Sequence, residues 1–138
     1  MSELERSREQ HPNVQIARRL WNAAADGDAN TIAALYAPDV VVRTHGRGPL
    51  AGEVKGVRAA LENAARAGEL VDDLTSELID IYASDCGAVL HYRITADRGP
   101  KRLDGEAFFV MRIENGRIVE ADAVPQDQAR DDAFWRLD

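Results

Sequence analysis

The stretch from Arg112 to Glu120, Arg-Ile-Glu-Asn-Gly-Arg-Ile-Val-Glu, decides the fold. Asn115-Gly116 separates two runs rich in β-branched and other apolar residues. Asn-Gly is strongly preferred in a two-residue type I′ turn, because both central residues of that turn need positive φ. The sequence therefore predicts a β-hairpin that turns at Asn115 and Gly116, with Glu114 opposite Arg117.

The hairpin also predicts which side chains share a face of the sheet. With an unbroken register, Phe109 lies opposite Asp122 and Met111 lies opposite Glu120. Side chains alternate along a strand, and both resulting faces are largely apolar, which is not expected of a sheet with one solvated side. One predicted face carries Gly105, Ala107, Phe109, Met111, Glu120, Asp122 and Val124, and the other carries Glu106, Phe108, Val110, Arg112, Val119, Ala121 and Ala123.

Helices are predicted to precede the sheet. Apolar residues recur at spacings of three and four between Asn13 and Asp26, the pattern of an amphipathic helix. Asp28 is placed to cap a second, short helix that ends before Pro38. The pattern then predicts a strand at 40–44, a loop at 45–52, a third helix from Val57 towards Gly68, and four strands at about 74–83, 87–96, 102–113 and 117–124.

Length and charge limit the possible functions. The chain has 138 residues, and its 17 Lys plus Arg against 24 Asp plus Glu give a net charge of −7. We expect one domain at 12–138 behind a flexible, highly charged leader at 1–11. The acidic balance argues against nucleic-acid binding, and no apolar run approaches the roughly 18 residues of a membrane span. We expect a cytoplasmic protein in which the single Cys86 is a buried, inert thiol.

The order of predicted elements resembles the cone-shaped α+β barrel of the NTF2-like superfamily. Several short motifs are similar to its SnoaL-like branch, also described as ketosteroid isomerase-like and polyketide cyclase-like. They are Gly27-Asp28, the run from Leu35 to Val41, Pro49 to Gly52 with Gly56, the hairpin from Arg112 to Glu120, and the tail from Asp127 to Trp135. The resemblance covers nearly the whole chain from residue 13, and it implies three N-terminal helices packed on a curved, mostly antiparallel sheet.

The resemblance implies several activities, since the superfamily includes isomerases, cyclases, epoxide hydrolases, dehydratases and noncatalytic binders. The positions that carry the acid and base of ketosteroid isomerases hold Leu20, Thr44 or Arg43, and Phe109 here, and none of these side chains can take those roles. Where epoxide hydrolases have an Arg-x-Asp pair, this chain has His91-Tyr92-Arg93. SnoaL-like cyclases use an acid/base aspartate in the barrel, for which Asp122 is the candidate.

Asp122 and His91 are the predicted catalytic residues. On an apolar face, the Asp122 carboxyl would lose solvation and become a possible general acid or base. A three-residue turn at 98–100 places His91 and Arg93 on that same face, whereas a two-residue turn reverses them. The resemblance to the isomerases across Cys86-Gly87-Ala88 favours the three-residue turn, and so does the apolar set that it places on the proposed dimer face, Leu90, Tyr92 and Ile94. The alternative interpretations are an Asp122 at the barrel mouth that is solvated or paired with an arginine, and a structural ion pair between Arg93 and Asp122 that fills the barrel.

The remaining candidates are ligand-binding residues. Arg43 and His45 lie at the end of the first strand, and either can face the cavity or the surface. The aromatic residues on the helical stripes are more often core than ligand platform. The full predicted ligand-binding set is Arg93, Arg43, His45, Trp21, Tyr36, Phe109 and Met111.

We expect neither a cofactor nor a metal, because no phosphate loop, nucleophile elbow or metal-ligand spacing is present. The leading hypothesis is a protein that binds a small, apolar, carbonyl-bearing molecule in its barrel, with acid/base chemistry by Asp122 and His91. The competing hypothesis is a noncatalytic binding or dimerisation module. In both, the sheet face bearing Phe108 and Val110 is expected to be covered by a second copy of the chain.

Overall fold

The computed structural model describes residues 11–137, and within them it has four helices and six strands. The predicted leader at 1–11 lies outside the described residues except for His11. The elements are α1 (Pro12–Asp26), α2 (Ala29–Leu35), β1 (Tyr36–Thr44), β2 (Gly52–Lys55), α3 (Val57–Glu69), β3 (Asp73–Ser84), β4 (Gly87–Arg98), β5 (Lys101–Glu114), β6 (Arg117–Pro125) and α4 (Gln128–Trp135).

The strands form one curved, unclosed sheet in the order β2-β1-β6-β5-β4-β3. All neighbouring pairs are antiparallel except β1 and β6, which run parallel. The predicted α+β class with helices on a curved sheet is confirmed. Two elements were not predicted. The expected loop at 45–52 ends in the short edge strand β2, and the C-terminal tail forms helix α4.

Helix α1 begins and ends at residues suited to those positions. The His11 side chain accepts a hydrogen bond from the Asn13 amide at 3.1 Å, and Pro12 occupies the first helical turn, where no amide hydrogen is needed. Gly27 ends the helix with a φ of 68°, a conformation that glycine adopts without strain. The apolar stripe of α1 is buried against β3 and β4, which anchors the helix across the sheet.

The predicted Asn115-Gly116 turn is present, with φ of 51° and 77° at its two residues, and Glu114 pairs with Arg117. The register predicted beyond it is wrong. Val119 is an extra residue, a β-bulge, so that Ile118 pairs with Ile113 but Glu120 pairs with Arg112. Because one inserted residue turns all later side chains to the opposite face, Asp122 lies opposite Val110 instead of Phe109.

The turn between β4 and β5 has two residues, Gly99 and Pro100, because Arg98 pairs with Lys101. Gly99 has a φ of 57°, which allows the tight turn. The expected three-residue turn is therefore wrong, and His91 lies opposite Phe108 instead of Ala107. The two corrections act together, since His91, Arg93 and Asp122 still share a face, but it is the face of Phe108 and Val110.

The sheet thus has two different faces. The inner face, towards the helices, carries small and apolar side chains such as Leu90, Phe109 and Ala121. The outer face, which bears Phe108 and Val110, also carries most of the charged side chains of the central strands. It is less apolar than predicted, because the bulge places Glu120 and Asp122 there and moves Ala121 and Ala123 inside.

Two further observations concern the surface. Cys86, expected to be buried, lies exposed at the turn between β3 and β4, where the two hairpin strands leave no cover over the side chain. None of the helices in residues 11–137 is both long enough and apolar enough to cross a membrane.

Candidate ligand cavity

A cavity of about 430 Å³ lies between the inner face of the sheet and the helices. Its size is in the range of small-molecule sites, about 300–1,000 Å³. Its walls are mainly apolar and include five aromatic side chains from α1, the sheet and α4. These are Trp21, Tyr36, Tyr92, Phe109 and Trp135.

Two of the aromatic side chains carry phenol groups. Burial raises the pKa of Tyr36 to about 12, because an ionised phenolate would lose its hydration. Burial and the nearby charge of Asp131 raise the pKa of Tyr92 to about 12 as well. Both phenols are therefore neutral at physiological pH. Tyr92 packs against Trp21 with ring centroids 5.5 Å apart, so the two rings form one wall.

The carboxyl group of Asp131 lies in the cavity wall beside these rings. It lies on α4 and is partly buried. Its Oδ1 accepts a hydrogen bond from Trp135 Nε1 at 3.2 Å, one helical turn further on. Desolvation by burial raises the pKa of Asp131, the Trp135 bond opposes this, and the charge of Asp132 adds to it. A carboxyl group with a raised pKa in an apolar pocket is suited to acid/base chemistry.

Helix α4 is held at both ends. At its start, the Asp127 side chain accepts a hydrogen bond from the Arg130 amide at 3.1 Å. At its end, Arg98 Nη1 donates to the Phe134 carbonyl at 2.7 Å, and Lys101 Nζ donates to the Ala133 carbonyl at 3.2 Å. Cations at a helix C-terminus also interact favourably with the helix dipole. The turn between β4 and β5 therefore positions the helix that carries Asp131.

The loop after β1 packs against the side of α4 through two glycines. A Cβ atom at Gly46 would lie 2.2 Å from Asp132 Oδ1, and one at Gly48 would lie 2.8 Å from Trp135 Cβ. The same Asp132 oxygen accepts a hydrogen bond from the Arg47 amide at 2.9 Å. A larger side chain at Gly48 would press on Trp135 next to the helix backbone, whereas one at Gly46 would have to displace the ends of the Asp132 and Gln128 side chains and adopt a φ of 103°.

The predicted ligand-binding residues divide between the cavity and other places. Trp21, Tyr36 and Phe109 line the cavity, and His45 lies at its rim. Met111 is in the core beneath the sheet, only 3% exposed, and is not part of the lining.

Asp122 lies on the outer face among polar side chains. Its Oδ1 lies 2.9 Å from His45 Nε2, and Arg43 Nη1 lies 3.7 Å from its Oδ2. Arg43 also donates to Glu53 at 3.1 Å and to Glu120 at 3.3 Å. Arg43 is therefore engaged by carboxylates outside the cavity, and the apolar environment predicted for Asp122 is not present.

His91 and Arg93 form separate contacts on the outer face. His91 Nε2 lies 2.6 Å from Glu106 Oε1, and His91 Nδ1 lies 3.2 Å from the Tyr82 hydroxyl. Arg93 donates two hydrogen bonds, each 2.9 Å long, to the two oxygens of Asp104. The predicted convergence of His91, Arg93 and Asp122 is therefore not found, and neither is the alternative ion pair between Arg93 and Asp122.

The sequence interpretation missed Asp131 and Tyr92. Tyr92 was placed on the wrong face, because the turn at 98–100 was taken to have three residues. A local pattern could have indicated Asp131. Asp127 is a residue type that caps helices, and in a helix that starts there Asp131 and Trp135 lie four residues apart on one face. Nothing in the sequence indicates that this face closes the cavity.

The residues described contain no group of three or more His, Cys, Asp or Glu side chains that could hold a metal ion. The cavity wall offers aromatic rings, phenols and the partly buried Asp131 carboxyl, whereas Glu106, which also lines the cavity, is engaged by His91. Such a wall can bind an apolar molecule and exchange a proton or a hydrogen bond with it.

Comparison with known proteins gives relatives in sequence and solved structures with a similar fold, among them the following. An uncharacterised protein of Mycobacterium tuberculosis is 31% identical over 127 residues, covering 89% of this chain and 95% of the relative. The structure of Bal32a, from a soil-derived mobile gene cassette, is 31% identical, covers 91% of this chain and 97% of its own, and has a TM-score of 0.84. A putative SnoaL-like polyketide cyclase from Jannaschia is 16% identical, covers 92% and 94%, and has a TM-score of 0.74.

The family comparison covers most of the chain. Residues 17–121 match the SnoaL-like domain. This range runs from within α1 to within β6, and it ends before α4 and Asp131. Solved structures with a similar fold include NTF2-like proteins from Burkholderia. The chain therefore belongs to the SnoaL-like domain family.

Proposed function

We propose that the protein binds a small, largely apolar molecule in the cavity, with Asp131 as the polar group that orients it. The observation that carries this proposal is the partly buried Asp131 carboxyl, desolvated on a mainly apolar wall beside the rings of Tyr92 and Trp135. Burying the apolar surface of a ligand supplies most of its affinity, and one placed polar group selects its orientation.

Filling the cavity tests this proposal. Gly105 lines the cavity, and a Cβ atom there meets nothing within 4 Å, so the side chain of Gly105→Leu starts in open space at the cavity wall. We expect the wild type to bind 2-acetylnaphthalene in calorimetric titrations and the variant to lose at least about tenfold in affinity. Gly68→Leu, on α3 outside the cavity lining, is the matched control and is expected to bind like the wild type. Equal binding by both variants would contradict the proposal.

A second candidate function is proton transfer on a carbonyl-bearing ligand. It is favoured by one observation, that a neutral Tyr92 phenol lies within the electrostatic reach of Asp131. The ionised Asp131 carboxylate would take a proton from the carbon next to the carbonyl, while the Tyr92 hydroxyl donates a hydrogen bond to the oxygen as it becomes an enolate.

The methyl protons of 2-acetylnaphthalene allow this candidate to be measured. In D₂O, an enzyme of this kind would exchange those protons for deuterium, which is followed by NMR. We expect Asp131→Asn to abolish the protein-dependent exchange and Asp132→Asn to retain it. An exchange rate unchanged by Asp131→Asn would rule out Asp131 as the base.

The catalytic roles predicted for Asp122 and His91 stay predictions, now for residues on the outer face. The homodimer through the face bearing Phe108 and Val110 also remains a proposal. Val110 is 41% exposed there, and His91 stacks on Phe108 with ring centroids 4.6 Å apart, so a second copy would cover a mixed aromatic and charged surface. The cytoplasmic location stays a prediction from the sequence.

A further inference from the structure

We propose that the ligand of the cavity is an organic cation, whose protonated amine pairs with the carboxylate of Asp131 while its apolar body contacts the aromatic walls. This inference rests on the proposed binding of an apolar molecule in the same cavity. It goes further by naming the charge of the ligand.

The first observation is that Asp131 has no cationic partner in the part of the chain that the structure describes. It accepts one hydrogen bond, from Trp135 Nε1 to Oδ1, and Oδ2 accepts none from residues 11–137. Its neighbour Asp127 interacts with Arg130, and Asp104 is held by Arg93. Buried carboxylates are normally paired or hydrogen-bonded, so the missing cation is the group that a ligand can supply.

The second observation is that the cationic side chains at the cavity wall are engaged elsewhere. Arg130 Nη1 donates to the backbone carbonyl of Asp104 at 3.3 Å, and its Nε lies 3.8 Å from Asp127 Oδ2. His45 Nε2 lies 2.9 Å from Asp122, on the outer side of β1. Neither is held towards Asp131, and within residues 11–137 the charge that acts on the pKa of this carboxyl is the negative charge of Asp132.

The third observation is the sign of the surrounding charge. Asp127 and Asp132 flank Asp131 on the same short helix, and the whole chain has a net charge of −7. Three carboxylates line the cavity, those of Glu106, Asp127 and Asp131, against one arginine, Arg130. An anionic ligand would be repelled, and a cation would be attracted from solution towards the site.

The aromatic walls complete the argument. An ammonium group placed near the face of an indole or phenol ring gains a cation–π interaction, which is strongest with tryptophan. Trp21 and Tyr92 form one wall, and Trp135 lies on the helix of Asp131. Aromatic rings around one carboxylate are the chemistry that recognises amines with apolar substituents. A cation held at Asp131 also occupies the carboxylate that proton abstraction would need, so this inference favours binding over the second candidate function.

Three probes with the same ring system and different charge test the inference. They are 2-naphthylmethylamine, 2-naphthalenemethanol and 2-naphthoate, titrated into the full chain by calorimetry at pH 7. We expect the amine to bind about tenfold more tightly than the alcohol, and the carboxylate to bind most weakly. In Asp131→Asn, we expect the amine and the alcohol to bind equally.

Asp132→Asn is the matched control, because it removes one negative charge from the same helix but not from the cavity wall, and it should preserve the preference for the amine. The inference is overturned if the alcohol binds as tightly as the amine in the wild type, or if Asp131→Asn leaves the preference intact. In either case the binding function stands. If the wild type binds none of these probes and no 2-acetylnaphthalene, both proposals fail.

Discussion

At the scale of single residues, two aspartates show how position decides the behaviour of a carboxyl group. Asp131 loses hydration in the cavity wall, and this raises its pKa above the ordinary value of 3.8. Asp104 accepts two hydrogen bonds from Arg93 on the outer face, and this lowers its pKa. The two shifts have opposite consequences for stability as a function of pH.

For Asp131, the folded state binds the proton more tightly than the unfolded state. The contribution of protonated Asp131 to the free energy of unfolding is therefore present at low pH. It is lost as the pH rises from about 3.8 through the folded pKa. Asp131→Asn imitates the neutral acid, and solvent still reaches this group, so we expect the variant to melt only about 1–2 °C above the wild type at pH 7. Thermal melts should show the difference vanish towards pH 3. A variant that melts lower at pH 7 would contradict this.

For Asp104, the folded state favours the ionised form. Its contribution is present above 3.8 and is lost as the pH falls through the lowered folded pKa. We expect Asp104→Asn to melt below the wild type at pH 7, with the two melting temperatures converging in acid. The same series of melts measures both aspartates. Parallel curves for the Asp104 variant and the wild type across the whole pH range would be inconsistent with the Arg93 contact as described.

At the scale of elements, α4 is the part of the fold on which the site depends. It has only eight residues, too few for a helix to be stable alone. Arg98 and Lys101 bind the carbonyls at its C-terminal end, and the Gly46 to Gly48 loop packs against its side. Contacts from distant segments therefore decide where Asp131 lies.

Gly48→Ala should disturb this packing, because the new Cβ atom would lie 2.8 Å from Trp135 Cβ. Crowding a close contact typically costs about 1–3 kcal/mol, and we expect a decrease of that size in the free energy of unfolding, measured with urea. The same variant should weaken ligand binding, since α4 carries Asp131. Gly68→Ala is the control, because a Cβ atom there meets nothing within 4 Å and alanine favours the helix. It is expected to be at least as stable as the wild type.

At the scale of the whole molecule, the two faces of the sheet have separate roles. The inner face and the helices enclose the cavity, whereas the outer face presents Tyr82, Val110 and a set of charged pairs. Exposed apolar side chains on a central strand favour contact with another chain. The ion pairs around them allow such a contact only if its charges are matched.

The proposed homodimer can be tested by sedimentation velocity at micromolar concentration. We expect the wild type to sediment with twice the mass of one chain. Val110→Arg should give the mass of one chain, because it replaces an exposed apolar side chain at the centre of the outer face with a long charged one. Ala65→Arg, on the exposed side of α3, should leave the mass unchanged. A wild-type protein that sediments as a single chain would end this proposal.

Much of the fold followed from local patterns. The spacing of apolar residues indicated α1, Asp28 indicated the start of α2, and Asn115-Gly116 indicated the last hairpin, because each depends on neighbours within a few residues. The short strand β2 did not follow, since it is a strand only through its pairing with β1. Helix α4 had a capping signal in Asp127, but its place over the cavity depends on Arg98, Lys101 and the glycine loop.

The sequence by itself determined the α+β class, the order of the predicted helices and strands, the acidic charge and the presence of the Asn-Gly turn. Only the tertiary structure decided which carboxyl group faces the cavity. The bulge at Val119 and the two-residue turn at Gly99-Pro100 turned Asp122 and His91 outwards, and long-range packing brought Asp131 to the cavity wall. The physical reason is that a strand alternates its side chains at every residue, so one extra or missing residue reverses a face, while a short helix takes its position from the surfaces that hold it.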